Sequence, residues 1–69
     1  MIVFTIEVEQ ETDGRWLAEV AELPGVMAYG AGHDEAVVKA QALALRVVAD
    51  GLEHDEAQGV FVNISFNAA

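Results

Sequence analysis

From residue 2 to residue 9 apolar and polar positions alternate. Ile2, Phe4, Ile6 and Val8 fall on one side of an extended chain, and Val3, Thr5, Glu7 and Glu9 on the other. A period of two with β-branched enrichment predicts a first strand over 2–9. Thr12-Asp13-Gly14 follows, and Asp-Gly is a hairpin signal because both residues tolerate positive φ. A second strand over 15–22 turns Trp16, Ala18 and Val20 to one face and Leu17, Glu19 and Ala21 to the other. Leu23-Pro24-Gly25 interrupts it, since proline lacks an N–H and glycine accepts the left-handed position of a type II turn. A short third strand is expected over 26–29, ended by Gly30-Ala31-Gly32.

The spacing then changes to that of a helix. Gly32 is an acceptable N-cap, Asp34 and Glu35 suit the positive end of the helix dipole, and Glu35 stands where a capping-box acid belongs. Ala36, Ala40, Leu43, Ala44 and Val47 recur at helical intervals, and Gly51 is positioned as a left-handed C-cap. Residues 53–59 read as a polar connection. Val60, Val62, Ile64 and Phe66 then alternate with Phe61, Asn63 and Ser65, which predicts a last strand, with 67–69 as a frayed end.

The expected fold class is α+β with the order β-β-β-α-β. Three strands form an antiparallel meander, and a right-handed crossover through the helix sets the fourth strand beside the first, for a sheet order of 3-2-1-4. The helix covers one face of the sheet. Phe4, Ile6, Trp16, Ala18, Val20, Ala40, Leu43, Val47, Val62 and Ile64 form the expected core. The opposite face carries Val3, Leu17, Met27, Tyr29 and Phe61 among Thr5, Glu7, Glu9 and Glu19. That is much apolar surface for a monomer to leave in water.

Size and charge sharpen this picture. Sixty-nine residues make one domain, spanning 1–69. A domain of this size buries only about 60% of the surface of its unfolded chain, so its core is marginal. With no cysteine, disulfides and thiolate metal sites are excluded, and association is the remaining route to further burial. Twelve acids against Arg15, Lys39 and Arg46 give a formal charge of −9. Three scattered basic residues make no phosphate-binding footprint, so neither nucleic acid nor an anionic membrane surface is an expected partner. Either a basic protein is steered toward this chain, or the charge serves only to keep a small domain soluble. The most apolar stretch, 36–49, is too short to span a membrane, and the N-terminus has no signal-peptide pattern. Together with the lack of cysteine, these features make the expected location cytoplasmic.

Candidate chemistry is sparse. His-Asp-Glu-Ala occurs at 33–36 and again at 54–57, but the two copies flank the helix, roughly 30 Å apart. Each offers one histidine and two flexible acids, short of a zinc ligand set. Glu7, Glu9 and Glu11 line one strand face, as carboxylates of a metal-dependent nuclease do. Such chemistry needs acids converging from the helix and another strand as well, and 36–49 contains none. Gly30-x-Gly32 precedes a helix but lacks the basic residues of a phosphate cradle. Ser65 has no histidine and acid within evident reach. No catalytic residue, cofactor site or metal site is therefore assigned.

The run from Asp13 to Val26, with its Asp-Gly turn, Trp16, Ala18 and Leu23-Pro24-Gly25, continues through Tyr29-Gly30 into Asp34-Glu35-Ala36 at a helix start. This ordered set resembles the HicB-like antitoxin family, in its short form. Ala21 stands where that family often has proline, and Gly32 where threonine often caps the helix. The resemblance implies a partial ribonuclease H-like module without enzymatic activity. Such a module binds a small basic HicA-type mRNA interferase and masks its active site. Longer members resemble this module followed by a DNA-binding domain, which these 69 residues do not contain.

Three functions are thus weighed. The first is an antitoxin-like module that neutralises a basic toxin. The second is an orphan oligomerisation or interaction domain, and the third, ranked last, is a metal-dependent ribonuclease H-type hydrolase. The expected protein interface is Val3, Leu17, Met27, Tyr29 and Phe61 with Glu7, Glu9 and Glu19. A homodimer or larger homo-oligomer is expected through that face or the edge of the third strand. The alternative route to association is the helix side, through Val37, Val48 and Leu52.

Overall fold

The computed structural model describes residues 1–54 and 63–69. Alternation in the first stretch produces strand β1 (Ile2–Gln10), and the meander continues through β2 (Trp16–Val20) and β3 (Met27–Gly30). Helix α1 (His33–Glu53) precedes β4 (Ile64–Ala68). The four strands form one sheet in the order β3-β2-β1-β4. The β1–β2 and β2–β3 pairs are antiparallel, and β1–β4 is parallel. This is the β-β-β-α-β arrangement expected from the residue pattern. The expected first part of the last strand, with Val60, Phe61 and Val62, and most of the polar connection lie outside the described residues.

Two glycines make the meander's turns. Gly14 takes φ +92° and donates its N–H to the Glu11 carbonyl, and Glu11 in turn donates to the Arg15 carbonyl at 2.7 Å. That is a three-residue hairpin with a left-handed glycine at its end. Gly25 takes φ +86° at the third position of the Leu23–Val26 turn, where Val26 N–H donates to the Leu23 carbonyl at 3.0 Å.

α1 lies mainly over β3 and β2 and touches β1 less. Phe4, Ile6, Ala18, Val20, Val26, Ala36, Ala40 and Ala44 are buried. Ala36, Ala40 and Ala44 form the stripe that meets the sheet, and their small side chains bring helix and sheet backbones close. A Cβ built on Gly30 would lie 2.5 Å from the Ala36 nitrogen.

Several expectations are corrected. Trp16, Leu43 and Ile64 are half-buried rather than core, and Val47 is exposed. On α1 the reason is azimuth: the buried row of Ala36, Ala40 and Ala44 continues to Val48, which still packs on the core, and Leu43 and Val47 fall beside that row. Trp16 and Ile64 each begin a strand, at the margin of the core. Gly51 does not end the helix, which continues to Glu53 with His54 as its C-cap. Glu35 makes no capping box and instead accepts a hydrogen bond from Lys39 at 2.8 Å, one turn on. Asn67 and Ala68 are paired rather than frayed. They continue β4 opposite Thr5 and Ile6, and Ala69 N–H donates to the Ile6 carbonyl.

No helix of the described residues is long and apolar enough to cross a membrane.

Candidate functional site

The sheet face turned away from α1 is built by register. Glu7 stands directly opposite Glu19, and Glu19 opposite Met27, so these three make one row across β1, β2 and β3. The next row is Glu9, Leu17 and Tyr29. Beyond it the hairpin brings Glu11 beside Arg15. The result is a band of carboxylates along β1 that crosses onto β2 at Glu19, bordered by an apolar strip of Leu17, Met27 and Tyr29. Met27 and Tyr29 are 41% and 42% exposed, and Leu17 is half-buried between its neighbours. Glu7, Glu9 and Glu19 are exposed, and with Leu17 and Val8 they line a shallow depression. Val3 is exposed on the same face but further along β1, opposite Ser65 of β4. Phe61 lies outside the described residues. Of the expected interface, Leu17, Met27, Tyr29, Glu7, Glu9 and Glu19 are thus brought together, and Val3 stands apart from them.

The pairing of Glu7 with Glu19 is electrostatically unfavourable, because like charges directly opposite on antiparallel strands destabilise a sheet. Neither residue has a basic partner among the ion pairs of the described residues. One cation does reach this face. The Arg15 guanidinium sits 4.3 Å from the centre of the Tyr29 ring, and its Nε donates to Asp13 at 2.8 Å. The Tyr29 hydroxyl points at Glu11, 3.5 Å away. Arg15 was not among the expected interface residues. Its parity with Leu17 and Glu19 on the second strand is the signal that could have placed it there.

Three carboxylates are held below their ordinary pKa values by local hydrogen bonds. Glu22 accepts the Thr5 backbone N–H at 2.7 Å, which extends the β1–β2 ladder with a side chain. The Arg15 backbone N–H and then its side chain do the same for Asp13. The Lys39 ammonium does so for Glu35. All three are exposed and lie at the margins of the acidic band or on the helix.

The acids of α1 are confined to its ends, at Asp34 and Glu35 and again at Asp50 and Glu53, and Glu7 and Glu9 point to the other side of the sheet. The arrangement does not bring helix carboxylates to those of β1. His33 begins the helix, its ring edge-on to Trp16 at 5.5 Å, and His54 caps the far end. The two histidines do not share a site. Among the described residues no three His, Asp or Glu side chains are grouped to hold a metal ion.

Comparison with protein-family models, with curated proteins and with solved structures found no match to this chain.

Proposed function

We propose that this protein is a binding module whose helix-free sheet face receives a basic protein, and that it acts as an antitoxin does, by covering the active site of a small basic mRNA interferase of the HicA type. The observation that carries the reading is the uncompensated acidic row. Glu7 and Glu19 oppose each other in register, Glu9 and Glu11 extend the charge along β1, and Leu17, Met27 and Tyr29 lie alongside. Lys and Arg side chains of a partner would relieve the Glu7–Glu19 repulsion, while Met27 and Tyr29 supply apolar contact of the kind enriched at interfaces. Arg15 over Tyr29 illustrates how a guanidinium sits on this surface. The interferase as the particular partner follows from the sequence resemblance to HicB-like proteins. The acidic face supports the reading of a basic partner.

Two copies joined through this face would set Glu7, Glu9 and Glu19 against their own equivalents, so the face favours a partner of opposite charge over self-association. The test is co-expression with any short basic protein found encoded beside this gene, followed by calorimetry at two salt concentrations. The expected result is a complex that weakens as salt rises. Glu7→Gln with Glu19→Gln should weaken it at least tenfold and flatten the salt dependence. A complex indifferent to both changes, or no complex with any such basic protein, would remove the proposal.

A further inference from the structure

Two Asp-Gly pairs occur in the chain, Asp13-Gly14 in the first hairpin and Asp50-Gly51 near the end of α1. Such pairs rearrange without an enzyme. The glycine nitrogen attacks the aspartate Cγ, and no side chain on the glycine stands in its way. A new N–Cγ bond forms, a Cγ–O bond breaks, and the oxygen leaves as water with the amide proton and the carboxyl proton. Solvent water then opens the cyclic imide. Attack at the aspartate main-chain carbonyl leaves the chain running through Cγ, as isoaspartate, with one extra backbone carbon and no net change of mass. Closure needs a free glycine nitrogen, a carboxyl group that takes up a proton, and a side chain that turns over the nitrogen.

The hairpin opposes all three at Asp13. Gly14 donates its N–H to the Glu11 carbonyl at 3.0 Å. Both carboxylate oxygens of Asp13 are engaged: Oδ1 accepts the Arg15 backbone N–H at 3.0 Å, and Oδ2 accepts Arg15 Nε at 2.8 Å. Turning Cγ over the Gly14 nitrogen means giving up these bonds. The same contacts, the backbone one first, hold the carboxyl below its ordinary pKa, so it stays ionised and is a poor target for attack. Gly14 is fixed from the other side as well, since its carbonyl accepts from the Gln10 side-chain amide at 3.2 Å. Arg15 is itself anchored on β3, its guanidinium 4.3 Å from the centre of the Tyr29 ring. We propose that Asp13-Gly14 is a latent isomerisation site, and that Arg15 is the latch that keeps it shut while the hairpin is folded. Asp50-Gly51 lies within α1 and depends on the helix rather than on Arg15. Conversion at Asp13 has a consequence for the sheet. The hairpin closes with Glu11 N–H on the Arg15 carbonyl at 2.7 Å and sets Gln10 opposite Trp16. An extra backbone carbon within that loop breaks the closure and takes Arg15 off Tyr29. Nothing in this chemistry involves a partner, so it is independent of the proposed binding role.

Peptide mapping by mass spectrometry, with fragmentation that separates isoaspartate from aspartate, tests it on the full chain stored in warm neutral buffer. Denatured in urea, the wild type should convert at both Asp-Gly pairs. Folded, it should convert at Asp13 several-fold more slowly. Arg15→Ala keeps the backbone donor and loses the guanidinium. The folded variant should therefore convert at Asp13 about 1.5- to 5-fold faster than folded wild type, the span set by one exposed ion pair, with Asp50 unchanged. Folded wild type that converts at Asp13 as fast as the denatured chain, or a denatured chain that does not convert there, would overturn the proposal. So would an Arg15→Ala protein no faster than wild type, or one in which Asp50 speeds up in step, since that marks general unfolding rather than a lost latch.

Discussion

The close approach of α1 to β3 makes Gly30→Ala the most informative single substitution. The added Cβ would stand 2.5 Å from the Ala36 nitrogen, 3.0 Å from the Ala36 Cα and 3.1 Å from the Glu35 carbonyl carbon. All three are helix backbone atoms, so no side chain can swing aside, and the helix must lift by about 1 Å to restore ordinary contact. Ala36, Ala40 and Ala44 are fully buried, and a gap of that size forfeits roughly a quarter to a half of the dispersion energy of the atoms lining it. Overpacking of this kind costs about 1–3 kcal/mol. Gly30 has no positive φ, so alanine also recovers about 0.4–1 kcal/mol by restricting the unfolded chain. The expected net loss is about 1–2 kcal/mol, from a total that for 69 residues is roughly 3–10 kcal/mol. Gly51→Ala is the matched control. Its Cβ would meet nothing within 4 Å and its φ is helical, so the same change should stabilise by about 0.5–1 kcal/mol. Urea denaturation at one fixed protein concentration, followed by the emission of Trp16, the strand partner of Gly30, reads both. A Gly30→Ala protein as stable as wild type would show that the helix does not sit this close to the sheet.

The acidic row predicts a trade between stability and binding. Glu19→Gln removes the like-charge pair with Glu7 and should raise stability by about 0.2–1 kcal/mol at low salt, less at high salt, while weakening the basic partner's hold. A destabilised Glu19→Gln protein in the same urea series would contradict the repulsion. Acid sensitivity has a defined sign at Glu22, Asp13 and Glu35, whose folded-state pKa values lie below the ordinary 4.5 and 3.8. The stability they contribute is complete above those unfolded values and drains away as the pH falls through the lowered folded ones. Glu22→Gln should therefore flatten part of the acid limb below about pH 4.5. An unchanged limb, or a Glu22 carboxyl that titrates by NMR at or above 4.5, would count against the hydrogen bond to Thr5.

Much of this architecture was legible in the residue order because it depends on local chemistry. The period of two in 2–9 sets which side chains share a face, and β1 follows it, with Phe4 and Ile6 buried and Glu7 and Glu9 exposed. Gly14 and Gly25 stand where their turns need a left-handed residue, and both adopt it. Since parity assigns faces before any contact forms, most of the acidic and apolar sheet face was legible too. Tertiary structure decided whatever depends on where elements end relative to one another. Val47 has the spacing of a core residue but is exposed, because the buried row of α1 runs on from Ala44 to Val48 and Val47 falls beside it. Gly51 looks like a stop, yet a glycine is a stop only where the chain turns left-handed, and here the backbone continues as helix. Asn67 and Ala68 have no strand character of their own; parallel pairing with Thr5 and Ile6 makes them one. Glu22 is bound to Thr5 across 17 positions of sequence, a distance that only the folded hairpin closes. Gly30 must lack a side chain for the same reason, because the helix backbone at Glu35 and Ala36 lies against it: local pattern chooses the elements and only their packing sets how near they come.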